Sequence, residues 1–125
     1  MHTNIFDLVG QISNKKKEDT VSFILKRGKK RVYQKEELIV TEGSFSNAVY
    51  IILTGKVQVF RKDLLNNHVI ITYLTDGDIF GEMGIFLDRK RSASVISVTE
   101  VVLAEFTNAE FVKALLEIPD LMYRL

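Results

Sequence analysis

Short apolar segments rich in β-branched and aromatic residues recur along the middle of the chain. Each of six such segments is typical of a β-strand. They lie at 38–40, 49–53, 57–60, 69–74, 94–98 and 101–106. Turn-forming residues lie between them at 42–44, 54–55, 66–67, 76–78 and 99–100. Closely spaced strands without helices between most of them predict an antiparallel barrel or a double-sheet roll rather than a parallel α/β sheet.

The two ends of the chain show helical periodicity instead. In the first thirty residues, apolar side chains recur at helical spacing within 5–12 and again within 21–25. Near the other end, Thr107 and Glu110 have the spacing of a capping box, which predicts that a helix starts there. Pro119 predicts the end of this helix, and the apolar residues after it predict the start of a second one.

Composition indicates a single globular domain. The 125 residues are 46% hydrophobic and 26% charged, and the formal net charge of +1 argues against a protein that binds nucleic acid by bulk charge. No stretch reaches the roughly 20 apolar residues of a membrane span, and the N-terminus lacks the apolar core of a signal peptide. The absence of cysteine excludes disulfides, thiolate metal sites and a cysteine nucleophile. We therefore expect a cytoplasmic protein that does not associate with a membrane.

The stretch FGEMGIFLDRKRSASV, residues 80–95, fits neither an ordinary strand nor an ordinary helix. Its glycines let the backbone approach a ligand closely, and a short helix after them would present free N–H groups to an anion. Arg91 offers a planar fork for two phosphate oxygens, and an ionised Glu82 accepts hydrogen bonds and so suits a sugar hydroxyl. These side chains fit a phosphate ester with a neighbouring hydroxyl. A surface turn that leads into a strand explains the same residues equally well.

The same stretch resembles the phosphate-binding cassette of the cyclic nucleotide-binding domain family. In that pattern Phe-Gly-Glu is followed, after a short spacer, by Arg, a small residue, Ala, a small residue and Val. NAVYIILTGKVQVF at 47–60 resembles the family's strand–glycine–strand segment, and FVKALLEIPDLMYRL at 111–125 resembles its hinge helix and the next helix. The resemblance covers residues 31–125. Within the family, the chain resembles the sensor domains of catabolite activator-type bacterial regulators and of cAMP-dependent kinase regulatory subunits.

The resemblance implies a mainly β fold with flanking helices. This fold is an antiparallel double-stranded β-helix, or jelly-roll-like β-roll, with N-terminal helices and a C-terminal hinge helix. The chain is then a single domain, 1–125, whose helical leader spans 1–30. The β-roll spans 31–106 and contains the cassette, and 107–125 form the hinge helix and the start of a following helix.

The roles of the family's binding residues carry over onto matching positions of this chain. The ligand-binding residues that the resemblance implies are Gly81, Glu82, Met83, Arg91, Ser92, Ala93, Val59, Ile71, Thr72 and Leu74. Glu82 would accept a hydrogen bond from the ribose 2′-hydroxyl, and Arg91 would clamp the cyclic phosphate with help from Ser92. The four strand residues would line the base and ribose pocket, although ordinary core packing explains Val59 and Leu74 as well.

Two positions bear on which arginine aligns with the family's cassette motif and on which nucleotide base the domain prefers. Many cassettes of the family have proline before the arginine, where this chain has Lys90, and Arg91 is selected because it directly precedes the small-Ala-small-Val run. A threonine after that arginine often accompanies cGMP selectivity in the family, whereas this chain has Ser92. The implied ligand is cAMP, with cGMP as the second candidate and a preference of about tenfold or less. No cofactor and no metal are implied.

The function that the resemblance implies is that of a cyclic mononucleotide sensor. It would transmit binding to an attached or partner output module, or form a homodimer, through the helix that begins near Pro119. The apolar residues after Pro119 favour a fragment of a longer regulator. Without a helix-turn-helix, the chain alone is not expected to bind DNA.

Two alternatives were weighed against the sensor. A metal oxygenase on a similar roll needs converging histidines, and the chain has only His2 and His68, so we expect no enzyme activity. The other alternative is a degenerate roll of the same family that mediates protein contact or oligomerisation without binding a cyclic nucleotide.

Overall fold

The computed structural model describes residues 3–8, 21–45, 47–82 and 90–117. Within these ranges the strands are β1 Thr3–Asn4, β2 Lys29–Tyr33, β3 Leu38–Val40, β4 Ala48–Thr54, β5 Val57–Lys62, β6 His68–Leu74, β7 Asp78–Phe80, β8 Ser94–Ser97 and β9 Val101–Thr107. The helices are α1 Ile5–Leu8 and α2 Asn108–Leu116. Residues 21–25 are also helical.

The strands form two antiparallel sheets that face each other. The order is β1-β7-β4-β9-β2 in the five-stranded sheet and β3-β8-β5-β6 in the four-stranded sheet. Both sheets contribute side chains to one apolar core, for example Ile52 and Leu103 from the first and Val57 and Val95 from the second. This arrangement confirms the predicted antiparallel β-roll with flanking helices.

The helices cover the other face of the five-stranded sheet. Successive side chains of a strand point to opposite faces, so Tyr50 and Ile52 enter the core between the sheets while Val49 and Ile51 point towards the helices. The core on the helical side also contains Ile5, Val21, Ile24, Ile79, Ala104, Phe106, Phe111, Ala114 and Leu115. The start of α2 is therefore held close to the first residues of β4.

The capping box at the start of α2 is present as predicted. The side-chain oxygen of Thr107 accepts from the backbone N–H of Glu110 at 3.1 Å, and the Glu110 carboxylate accepts from the backbone N–H of Thr107 at 2.8 Å. Two N–H groups that have no partner within the helix are satisfied in this way. The first helical residue is held to the sheet as well, because Asn108 N donates to Asn47 O at 2.7 Å.

Three strands were not predicted from the hydrophobic pattern. The prediction of a helical leader over 1–30 is wrong at 3–4, which pair with β7, and at 29–30, which begin β2. The third strand, 78–80, begins at the last residue of the turn predicted at 76–78. Two or three residues are too short to show an alternation, and β2 is an edge strand whose Lys-Lys-Arg start does not resemble a strand.

Several predictions fall on residues that the structure does not describe. They concern the helical periodicity at Val9 and Ile12, most of the predicted turn at 81–86, the end of the hinge helix at Pro119 and the helix after it.

Candidate ligand-binding site

Arg91 is the centre of the candidate site, and both its backbone and its side chain are anchored. Its backbone N–H donates to Ser44 O and its carbonyl accepts from Gly43 N, both at 2.8 Å, so the turn at 42–43 fixes its position. Its Nη1 donates to Gly81 O at 3.0 Å and its Nη2 to Ala48 O at 2.5 Å. The guanidinium group therefore joins the end of β7 to the start of β4.

The anchored guanidinium group retains N–H groups for a ligand. A guanidinium has five N–H donors, and the contacts with Gly81 and Ala48 use one from each terminal nitrogen. The Nε atom of Arg91 is buried and has no hydrogen-bond partner among the residues that the structure describes. A planar cation with free donors in a partly buried position suits a phosphate, whose oxygens accept hydrogen bonds and carry the opposite charge.

Gly81 lets Arg91 come close to the backbone. Its φ of 88° lies in the left-handed region that favours glycine. A Cβ atom at this position would lie 2.7 Å from Ala48 O and 3.0 Å from Nη1 of Arg91. Glycine is therefore required here both by the backbone conformation and by the space that Arg91 occupies.

Burial and the neighbouring side chains act in opposite directions on the pKa of Arg91, and burial has the larger effect. Burial lowers the pKa of its guanidinium group, while Tyr50 and Glu82 raise it. Glu82 is partly buried and follows Gly81 directly, and its carboxylate is close enough to act on the charge of the Arg91 guanidinium group. A ligand that bridges them would present an anionic group to Arg91 and a hydrogen-bond donor to Glu82.

Two stacked aromatic side chains at the start of the cassette were not among the predicted site residues. Tyr50 and Phe80 stack with ring centroids 4.8 Å apart, and Phe80 directly precedes Gly81. Burial, followed by the charge of Glu105, raises the pKa of Tyr50 to about 12, so its hydroxyl is neutral at physiological pH. Phe80 was visible in the cassette pattern, but the position of Tyr50 depends on the pairing of β4 with β7, for which the sequence gives no local signal.

The predicted pocket residues on the four-stranded sheet do not share one environment. Val59 of β5 lies between Thr72 of β6 and Val95 of β8 in the strand register, so these three side chains point to the same face. Leu74 is buried in the core between the sheets. Ile71 is 50% exposed and has no partner on β5, because Val59 pairs with Thr72 and Phe60 with Ile70. Ile71 is thus a β-bulge at the rim of the sheet.

The remaining predicted site residues lie around Arg91 in the sequence. Ser92 is exposed and Ala93 is partly buried, and both lie between Arg91 and the first residue of β8. Met83 lies outside the described residues. Among the described residues no group of three or more His, Cys, Asp or Glu side chains could hold a metal ion, and no helix is long and apolar enough to cross a membrane.

Comparison with known proteins decides the family. Residues 30–117 match the cyclic nucleotide-binding domain family, and this match covers more than half of the chain. The chain belongs to that family. The matched residues include α2 and all the strands of the described roll except β1 and the first residue of β2.

Two curated relatives of the domain are regulatory proteins. The cAMP-activated global transcriptional regulator CRP of Salmonella typhimurium is 32% identical over 94 residues, which cover 74% of this chain and 45% of that protein. The cAMP-dependent protein kinase regulatory subunit of Schizosaccharomyces pombe is 32% identical over 91 residues, which cover 73% of this chain and 21% of that protein. The chain thus spans at most about half the length of these relatives.

A solved structure shows the same fold. The catabolite activator protein of Thermus thermophilus superposes with a TM-score of 0.82 at 24% identity, over 93% of this chain and 53% of that protein. This similarity extends over most of the chain, and it agrees with the β-roll described above.

Proposed function

We propose that the domain binds a 3′,5′-cyclic mononucleotide and that Arg91 holds the cyclic phosphate. The observation that carries the proposal is the guanidinium group itself: it is partly buried, held by the carbonyls of Gly81 and Ala48, and retains donors that include Nε. A cyclic phosphodiester carries one negative charge, which one arginine neutralises. The family to which the chain belongs and the cAMP-related names of its relatives support this ligand.

The ribose lies beside Glu82 and Gly81 in this proposal. An ionised carboxylate only accepts hydrogen bonds, so Glu82 suits the 2′-hydroxyl, while Gly81 brings the backbone close to the sugar. Ser92 and Ala93, directly after Arg91, would contribute a hydroxyl and backbone groups to the phosphate.

The base would lie against the four-stranded sheet. Val59 and Thr72 form the wall, Leu74 supports it from the core, and Ile71 covers it at the rim. Because these side chains are mostly apolar, we expect at most one polar contact to separate the two bases, worth the lower part of the roughly 1–3 kcal/mol range for such a contact. We therefore expect cAMP to bind more tightly than cGMP by about tenfold or less.

Binding would be transmitted through the first residues of β4. Ala48 O accepts from Arg91, and the preceding residue, Asn47, accepts from the first residue of α2, Asn108. A phosphate that attracts the guanidinium group changes its bond to Ala48, one residue from the bond that holds α2. Since a ligand shifts an equilibrium only by its different affinity for the two states, this shared contact is the place where that difference would arise. In this proposal the domain acts as a regulatory sensor that signals to an output module through α2.

Calorimetric titration of the chain with cAMP, cGMP, 5′-AMP and a cyclic dinucleotide tests the proposal. We expect saturable binding of both cyclic mononucleotides and much weaker binding of the open-ring and dinucleotide controls. Absence of binding by a folded sample would contradict the proposal and favour a degenerate roll that serves protein contact. A preference for cGMP, or a preference for cAMP above about a hundredfold, would show that the base wall has been assigned wrongly.

A further inference from the structure

The turn between β3 and β4 holds the backbone of Arg91. Arg91 N donates to Ser44 O and Gly43 N donates to Arg91 O, both at 2.8 Å. Because one residue both donates to the turn and accepts from it, its backbone cannot shift without the turn. The place from which the guanidinium group extends therefore depends on what holds this turn.

The hydroxyl group of Ser94 holds the turn from the neighbouring strand. Ser94 is the first residue of β8 and is buried, and its side-chain oxygen accepts from Glu42 N at 2.9 Å. The pairing of β3 with β8 reaches Val40, which lies opposite Val95. Beyond that pair, the serine oxygen acts as the acceptor for the chain that leads from β3 into the turn.

Glu42 also ties the turn to β5. Its carboxylate Oε1 accepts from the backbone N–H of Lys62, the last residue of β5, at 3.1 Å. The turn is thus held on one side by a buried hydroxyl of β8 and on the other by its own carboxylate. Loss of the hydroxyl alone should loosen the turn, while the bond to Lys62 keeps it in place, so we expect a local effect rather than unfolding.

We propose that Ser94 is a positioning residue for the phosphate site. Its hydroxyl fixes Glu42, the turn fixes the backbone of Arg91, and Arg91 holds the phosphate. The inference rests on the proposed function for the ligand but not for the hydrogen bonds. A guanidinium group binds phosphate oxygens as a planar fork, so its affinity depends on its orientation and on the residues that maintain it. Ser94 acts only through Arg91 in this account.

Ser97, at the other end of β8, is a matched serine that serves a different turn. It is buried as well, and its side-chain oxygen accepts from Glu37 N at 2.8 Å and donates to Gln34 O. It therefore holds the turn between β2 and β3, at the opposite end of β3 from the turn that contacts Arg91. Substitution of each serine separates the loss of a buried hydrogen bond from the loss of the position of Arg91.

Amide hydrogen exchange of the chain without ligand tests the connection first. In Ser94→Ala the amides of Gly43 and Arg91 should exchange at least about threefold faster, relative to those of the central strand β4, because the turn opens more readily. In Ser97→Ala these two amides should keep their rates, while the amide of Glu37 should exchange faster. Unchanged rates at Gly43 and Arg91 in Ser94→Ala would overturn the proposal.

Calorimetric titration with cAMP gives the second readout. Ser94→Ala should bind about threefold to tenfold more weakly, the equivalent of one hydrogen bond, whereas Ser97→Ala should bind like the unchanged chain although it also loses stability in urea. In an Arg91→Ala background, Ser94→Ala should cause no further loss, since both changes act on the same contact. Ser94→Cys, whose thiol is only a weak acceptor, serves if Ser94→Ala is unfolded.

The outcomes distinguish this inference from the proposed function. Equal cAMP affinities of Ser94→Ala and Ser97→Ala would overturn the positioning role, and so would losses from Ser94→Ala and Arg91→Ala that add. If the unchanged chain does not bind cAMP, the proposed function fails, and the exchange rates of the amides alone decide whether Ser94 positions Arg91.

Discussion

Gly81 is hydrogen-bonded to Arg91 and also leaves the space that the Arg91 side chain occupies. The carbonyl oxygen of Gly81 accepts a hydrogen bond from Nη1 of Arg91 at 3.0 Å, and a Cβ atom on Gly81 would lie 3.0 Å from that same nitrogen. The end of β7 is thus shaped around the cation, so the backbone conformation of the cassette and the position of the phosphate-binding group depend on each other.

Gly81→Ala should therefore impair folding and binding together. The residue has a φ of 88°, so an alanine should lower the free energy of unfolding by about 1 kcal/mol or more. Gly55→Ala is a matched control, since its φ is 112° and a Cβ there would lie 2.5 Å from Glu100 O and would not meet Arg91. Both variants should lose stability in urea unfolding, but only Gly81→Ala should lose affinity for cAMP, by at least about tenfold, equivalent to one charge-assisted hydrogen bond. Equal affinities of the two variants would contradict a role of this contact in binding.

Glu82 and the ribose 2′-hydroxyl should show thermodynamic coupling. 2′-Deoxy-cAMP should bind the chain at least about tenfold more weakly than cAMP, because a hydrogen bond to a carboxylate is worth about 1.5–3 kcal/mol. In Glu82→Ala the two nucleotides should bind alike, since both changes remove the same interaction. Glu100→Ala, at an exposed position in another turn, should keep the full difference. If calorimetric titrations show that the affinity loss from the 2′-deoxy change and the affinity loss from Glu82→Ala add, Glu82 does not contact that hydroxyl.

The ionisation of Tyr50 should lower the free energy of unfolding at alkaline pH. The folded-state pKa of about 12 lies above the ordinary value near 10. The folded state therefore binds the proton more tightly than the unfolded state, so the contribution of Tyr50 is complete below pH ~10 and is lost as the pH rises towards ~12. The free energy of unfolding should fall less steeply over this range in Tyr50→Phe than in the unchanged chain. Tyr73→Phe, at an exposed position, should follow the unchanged chain, and an equally steep fall in Tyr50→Phe would contradict the assignment.

The capping box should contribute measurably to the stability of α2. Thr107→Ala removes the oxygen that accepts from Glu110 N and should lower the free energy of unfolding by about 1 kcal/mol. Thr41→Ala, at an exposed position outside the helices, should change it by less than half of that amount. Chemical unfolding of both variants measures the difference. If the two threonines behave alike, the box does not stabilise the helix that this domain would use for transmission.

How far the sequence predicts this structure depends on the range of the interaction involved. The capping box was predicted because Thr107 and Glu110 are close in the chain and their spacing is itself the signal. β2 was missed because its charged start, Lys29-Lys30-Arg31, suits an edge position that only the finished sheet defines. The same holds for β1, since two residues become a strand only by pairing with β7.

The candidate site divides in the same way. Glu82 and Arg91 were found because they belong to one continuous motif. Ala48, which accepts from Arg91, and Tyr50, which stacks on Phe80, were missed because both depend on where β4 lies relative to the cassette. A backbone carbonyl also leaves no trace in the sequence, since every residue at position 48 would supply one.

The affinity of Arg91 variants for cAMP tests the central claim most directly. Arg91→Ala removes the charge and its hydrogen bonds, and truncating one partner of a buried charged pair costs about 2–5 kcal/mol of binding free energy. Arg91→Lys keeps the charge but loses the planar fork, so its affinity should lie between those of Arg91→Ala and the unchanged chain. Arg61→Ala, at an exposed position on β5, is the control and should bind normally.

These titrations should be interpreted only for variants whose thermal unfolding shows that they are folded, because Arg91 also joins β4 to β7. The account predicts that cAMP affinity falls by at least about thirtyfold in Arg91→Ala, the lower end of that cost, and stays unchanged in Arg61→Ala. Unchanged cAMP affinity in a folded Arg91→Ala variant would contradict the claim that Arg91 holds the cyclic phosphate.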